Sequence, residues 1–247
     1  MLLGWDASLW AFVAGACVVA GVVRGFTGFG FPLIVVTASS LVIAPAEIVP
    51  IALLLDILAG LRLLPHVRAD VDRRGATLLI LSAAPMIPIG AYLLASIDPD
   101  VMRLAIGIMV LIAVIALARG LALSRPPNAP LLSLTGVVAG FLSGVAGMPG
   151  PPVILLYLSS PLPVATLRAT AIAFFLFTDV VALLAMSYYG LIGVELLWRA
   201  AVLAPLVEVA VFAGRKLYGV AEPSMVKQAA LVLLALLAAS AIARSMF

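Results

Sequence analysis

With 247 residues, of which 65% are hydrophobic and 10% charged, and a mean hydropathy of +1.30, the chain lies far outside the composition of a water-soluble globular domain. Its net charge of +3 does not point to nucleic acid, because the basic residues sit in short stretches between apolar segments, where the preference of Lys and Arg for the cytoplasmic side accounts for them. Cys17 and His66 are each the only residue of their type, which excludes an internal disulfide and a thiolate metal site.

The first apolar stretch, residues 8–44, has no basic run ahead of it and continues past Gly30, so it reads as retained structure rather than a cleaved leader. As one unbroken helix it would extend about 55 Å, too long for a single span. Gly25-Phe-Thr-Gly-Phe-Gly-Phe-Pro32 breaks it: glycine frees the backbone, and proline suits the first turn of a new helix. Apolar segments follow at about 46–64, 76–95 and 101–122, each near the roughly 20 residues that a bilayer core requires. His66, among Arg62, Arg68 and Asp70, reads as a solvated loop histidine. A proline-rich polar linker, 124–130, comes next. Beyond it a second glycine motif, Gly144-Val-Ala-Gly-Met-Pro-Gly-Pro-Pro152, precedes segments at about 164–187, 197–213 and 225–244.

The two motifs match in order: Gly25 with Gly144, Gly28 with Gly147 and, after a one-residue insertion, Gly30 with Gly150 and Pro32 with Pro152. A second match, of the run from Asp98 to Ala105 with that from Glu222 to Ala229, recurs at a separation of 124. The sequence therefore predicts two homologous halves, 1–123 and 131–247, joined by the linker 124–130. Each broken segment is either one crossing or a re-entrant hairpin of two short helices. If both are hairpins, ten basic residues fall on one face against three on the other; if both cross, the split is eight against five. The positive-inside rule favours hairpins, with both termini periplasmic and Trp5, Trp10 and Trp198 at the outer interface. A hairpin plus three crossings makes the second half enter upside down. The expected fold is an all-α polytopic membrane protein of about eight hydrophobic segments, arranged as an inverted repeat of the kind that recurs in secondary transporters.

Non-helical backbone survives at membrane depth only where protein or a wet cavity surrounds it, so the two tips are the leading site candidates. Helices restarting at Pro32 and Pro152 would aim unpaired N–H groups at the space between the tips, which suits an anion. Gly25, Gly28, Gly30, Gly144, Gly147 and Gly150 would let backbone approach a ligand, and Thr27 and Ser143 offer hydroxyl donors. Alternatively, these glycines serve close helix packing. Arg24, inside an apolar stretch, is either a ligand for an oxyanion or the partner of a carboxylate. Arg168 either faces the same cavity or snorkels to the surface. Asp56, Asp179 and Glu208 lie within apolar segments and either relay protons or pair with the arginines, whereas Glu47 reads as a helix N-terminal acid.

At the two glycine motifs, Gly25-Phe-Thr-Gly-Phe-Gly and Ser143-Gly-Val-Ala-Gly-Met-Pro-Gly-Pro-Pro-Val, the chain resembles the TauE/SafE family of sulfite exporters, also described as toluene-sulfonate uptake permeases. The resemblance covers nearly the whole length. It implies a bacterial inner-membrane transporter of sulfite, a sulfonate or a related organosulfur anion, with no metal, nucleotide or other cofactor. A membrane-embedded enzyme would need nucleophile–base or metal clusters that the sequence lacks. A passive anion channel, and a proton-coupled carrier of a non-anionic solute working through the intramembrane acids, remain the alternatives. The expected partners are the small anion and membrane lipid, with homo-oligomerisation left open and nucleic acid excluded.

Overall fold

A computed structural model describes residues 4–118, 123, 125–220, 222, 225, 228 and 232, and every regular element among them is helical. Helix α1, Ala7–Thr27, starts where Asp6 accepts the Leu9 backbone N–H. That bond and the Ser8 hydroxyl hold the Asp6 carboxyl below the usual carboxylate range. The helix stops at Gly28, whose φ of +86° costs an L side chain dearly and glycine nothing. Gly30, at φ +95°, then turns the chain into α2, Phe31–Ser39. Helix α3, Pro45–Val67, has proline in its first turn and continues into a 3-10 turn over Arg68–Asp70.

Helices α4, Arg73–Ala83, and α5, Met86–Ser96, occupy the expected segment 76–95, but a bend of 46° separates them. Pro85 lies at that break, where its ring and missing N–H cannot continue the i to i−4 ladder. Helix α6 runs over Pro99–Ala118. The second half begins with α7, Ala129–Ala146, capped by the Asn128 side chain, and α8, Gly150–Ser159. It continues with α9, Val164–Tyr188, and α10, Val194–Val220. Most of the last expected segment, 225–244, lies outside the described residues.

Five of the described helices, α1, α3, α7, α9 and α10, are long and apolar enough to cross a membrane, and α4 with α5 make a sixth if the bent pair is one span. Large apolar side chains such as Leu81, Leu104, Leu184 and Val209 point outward, the inverse of a soluble surface. The expected hairpins of two short helices take a different form: α1 and α7 have 21 and 18 residues, whereas α2 and α8 have 9 and 10. One limb of each is thus long enough to reach across the hydrocarbon and the other reaches about halfway.

Packing runs between the halves. Helix α1 lies along α10, α7 lies along α4 and α5, and α3 lies against α9. Two crossings are backbone on backbone. A Cβ on Gly25 would stand 2.2 Å from the Val211 carbonyl oxygen, and one on Gly144 would stand 2.2 Å from that of Ile87. The facing glycines, Gly214 and Gly90, are equally closed, so each contact is a glycine pair.

The ends of the bundle can be read from polar contacts. Trp5 donates its indole N–H to Glu47 at 2.9 Å, and the Arg199 guanidinium pairs with the same carboxylate, so α1, α3 and α10 begin at one end. Arg103 donates to the Ser40 carbonyl at that end. At the opposite end Asp72 accepts from the Tyr157 hydroxyl, and its backbone N–H donates to Thr170, which places the close of α8 and the start of α9 there.

Candidate functional site

Each tip is a helix C-terminus that stops on a left-handed glycine. At the first, the Gly28 N–H bonds the Arg24 carbonyl. At the second, the Gly147 N–H bonds the Ser143 carbonyl, an αL closure with φ +66° at Gly147, and the Met148 N–H bonds the Leu142 carbonyl. Between the tips lies a cavity lined by Phe29, Gly30, Pro32 and Leu33 from the first, and by Gly147, Met148, Pro149 and Gly150 from the second. Asp56 of α3 and Asp179 and Phe175 of α9 complete it. Its open space is about 20 Å³, room for about one water.

Arg24 is fully buried. Its Nε stands 2.8 Å from Asp56 Oδ1, its Nη1 donates to the Gly28 carbonyl, and its guanidinium lies 5.5 Å from the centre of the Phe175 ring. The Asp179 carboxyl interacts with that of Asp56 and is itself fully buried. Neither Asp179 oxygen has a hydrogen-bond partner among the described residues. The guanidinium thus pairs with one carboxyl group, that of Asp56, and the Asp179 carboxyl from the other half adjoins it.

The helix N-termini at the cavity are unequal. In α2 the first-turn N–H groups of Phe31 and Leu33 have no carbonyl one turn back within the helix. In α8 the first turn reads Gly150-Pro151-Pro152-Val153, and its two prolines carry no N–H at all. Donors to an anion are therefore concentrated on the first tip.

The expected site residues separate into groups. Gly30, Pro32, Gly147, Gly150, Asp56 and Asp179 line the cavity, and Arg24 reaches it through Asp56. Gly25 and Gly144 sit at the helix crossings instead, where packing alone demands glycine. Gly28 ends α1, where an added Cβ would meet the Arg168 side chain at 2.6 Å. The Thr27 hydroxyl is engaged inside its own turn, with the Val23 and Phe29 carbonyls both in reach of its single proton and the Phe29 N–H donating to it. Ser143, at the position matching Arg24, is buried with no partner for its hydroxyl among the described residues. Pro152 lines a separate apolar pocket with Leu131 and Leu155.

Arg168 does not snorkel. It is buried, donates from Nη2 to the Gly25 carbonyl at 2.7 Å and from Nε to that of Phe26 at 3.3 Å, and lies 4.0 Å over the Tyr218 ring. A cation from the second half thereby caps the negative end of α1. Glu208 lies away from the cavity, paired with Arg62 at 2.9 Å in a pocket shared with His66 and Arg215. Phe175 escaped the sequence reading. Its signal was its place one helical turn before Asp179, on the same face.

The family model for "Sulfite exporter TauE/SafE" matches residues 13–241. The chain belongs to the TauE/SafE family. It is also similar to a Cupriavidus necator protein described as "Probable sulfite/organosulfonate exporter TauE", at 27% identity over 200 residues that cover 77% of each chain. No solved structure matches. TauE/SafE proteins are membrane transporters, not enzymes, and the apolar helices of this chain make it a multi-pass membrane protein.

Proposed function

We propose that this TauE/SafE protein is a secondary transporter that carries sulfite, a sulfonate or another small organosulfur anion across a bacterial inner membrane by alternating access. The observation that carries the reading is a fully buried arginine beside a cavity walled by two opposed helix breaks. An arginine at that depth costs several kcal/mol unless paired. Its planar fork matches the oxygens of a sulfonate as well as those of Asp56.

An inverted repeat is supported by the polar contacts at the two ends. Because Trp5 meets Glu47, the α1–α2 pair returns to the end it left before α3 crosses. The α7–α8 pair does the same from the opposite end, since α7 runs alongside α4 and α9 starts by Asp72. The two tips thus approach from opposite sides. Arg103 and Arg199 share the first end, whereas Arg62, Arg68, Arg73, Arg74 and Arg215 share the other, an imbalance that supports a periplasmic placement of the N-terminus. A cavity with room for about one water supports a carrier that must open over a pore that stands open. Binding of a sulfonate requires the tips to part.

The test is thermal stabilisation of the purified protein by sulfite, sulfate, thiosulfate, taurine and an aromatic sulfonate, with Arg24→Gln alongside. A rise in Tm with an organosulfur anion that vanishes in the variant is the expected result. Stabilisation by cations or neutral solutes alone would overturn the anion class.

A further inference from the structure

Asp56 and Asp179 lie in corresponding helices of the two halves, at a separation of 123, and line one cavity, where Asp56 pairs with Arg24 and Asp179 adjoins Asp56. Two carboxylates and one arginine would leave a net negative charge in a space that holds about one water. Such a charge is expensive away from solvent, and neighbouring carboxyl groups relieve it by sharing a proton. The cluster is neutral with one proton on the pair. An anion arriving at Arg24 upsets that balance, because it brings a second negative charge to the place where Asp56 already sits.

We infer that the Asp56–Asp179 pair is a proton-binding site coupled to the substrate site, so that each organosulfur anion binds together with one proton. This rests on the anion reading above. The charges close: arginine cation and singly protonated pair before binding; arginine cation, bound anion and doubly protonated pair after it. Protonation also changes what the site offers, since a carboxylate only accepts hydrogen bonds whereas a carboxylic acid donates one. The unpartnered Asp179 oxygens, aimed at the cavity, become a donor to a sulfonate oxygen.

Other charged groups leave the pair alone. From α1 the pair faces Arg24; on α9, Arg168 is turned to the Gly25 and Phe26 carbonyls. Within α2, α5, α7 and α8 there is no charged residue. The other ionisable groups of α3 and α10 are engaged at the two ends: Glu47 and Glu195 with Arg199, Arg62 with Glu208, His66 with Arg215, Lys216 over the Phe212 ring and Tyr218 under Arg168.

The test uses ethanesulfonate, which stays ionised throughout the working range, so any proton counted belongs to the protein. Calorimetric titration of the wild type in two buffers of different ionisation enthalpy counts protons taken up per anion. The expected count is about one, with affinity falling about tenfold for each unit rise in pH. The double variant Asp56→Asn with Asp179→Asn, which keeps the shape and removes both protonatable groups, should bind with affinity independent of pH. Wild-type binding with no buffer dependence and a flat pH profile would overturn the coupling while leaving the anion reading intact. Absence of any binding heat in the wild type would instead remove the anion reading, and the coupling with it. Should the double variant fail to fold, the two-buffer measurement on the wild type decides alone.

Discussion

The two tips share one frame and differ in one charge. Both end a long helix on a left-handed glycine, both restart within three residues on a proline-containing turn, and both press a glycine against a glycine of the other half. Yet where the first carries Arg24 the second carries Ser143, and where Arg168 caps the first tip's carbonyls the second closes on its own backbone. The frame explains what is duplicated. The difference shows that the cation of the site comes from one half, while each half contributes one acid to it. The matching frame sets the two tips against each other, and the departure from it sets where the charges lie.

The comparison breaks most sharply at Arg24. Arg24→Gln should weaken organosulfur binding at least about 30-fold, and should destabilise the protein by about 3–5 kcal/mol because Asp56 is left buried without its partner. The double variant Arg24→Gln with Asp56→Asn should regain most of the thermal stability and none of the binding. If the double variant binds sulfonate like the wild type, the cation is not the ligand.

Gly25→Ala and Gly144→Ala test the shared frame. Each Cβ would meet backbone at 2.2 Å, so both should lower stability by about 1–3 kcal/mol or more, and by similar amounts. Unequal melting temperatures would show that the two crossings do not bear equal loads. Gly28→Ala and Gly147→Ala come next. Both place a side chain in the left-handed region at about 1–2 kcal/mol, and Gly28→Ala should cost more, since its Cβ meets Arg168 at 2.6 Å where that of Gly147→Ala meets Leu53 at 3.1 Å. Ser143→Ala should change stability least, within about 0.5 kcal/mol, because its hydroxyl makes no bond to lose. A larger drop in Tm would mean that the hydroxyl has a partner in the resting protein.

Much of this arrangement was legible in the residues. Gly28, Gly30 and Gly147 are punctuation that only glycine supplies cheaply, and the prolines mark where helices restart. Arg24 and the acids declared themselves by sitting where charge is expensive. What remained hidden had partners without a sequence signature. Arg168 binds backbone carbonyls, which every residue possesses, so nothing in the chain announced its place at the end of α1. The roles of Gly25 and Gly144 were equally hidden, because a glycine that admits a ligand and one that admits a helix look the same in sequence. Limb lengths escaped as well, since apolar character runs through the break and does not say how far each arm extends.

The glycine crossings join α1 to α10 and α7 to α4 and α5, so each tightest contact ties an arm of one half to a pillar of the other. On the alternating-access reading proposed above, a rocking motion that spares those contacts would carry α1 and α10 as one lever and α7 with α4 and α5 as its counterpart. Sequence order and tightest packing therefore divide this chain along different lines. The two matching halves are consecutive in sequence, whereas each glycine-on-glycine pairing is assembled from both.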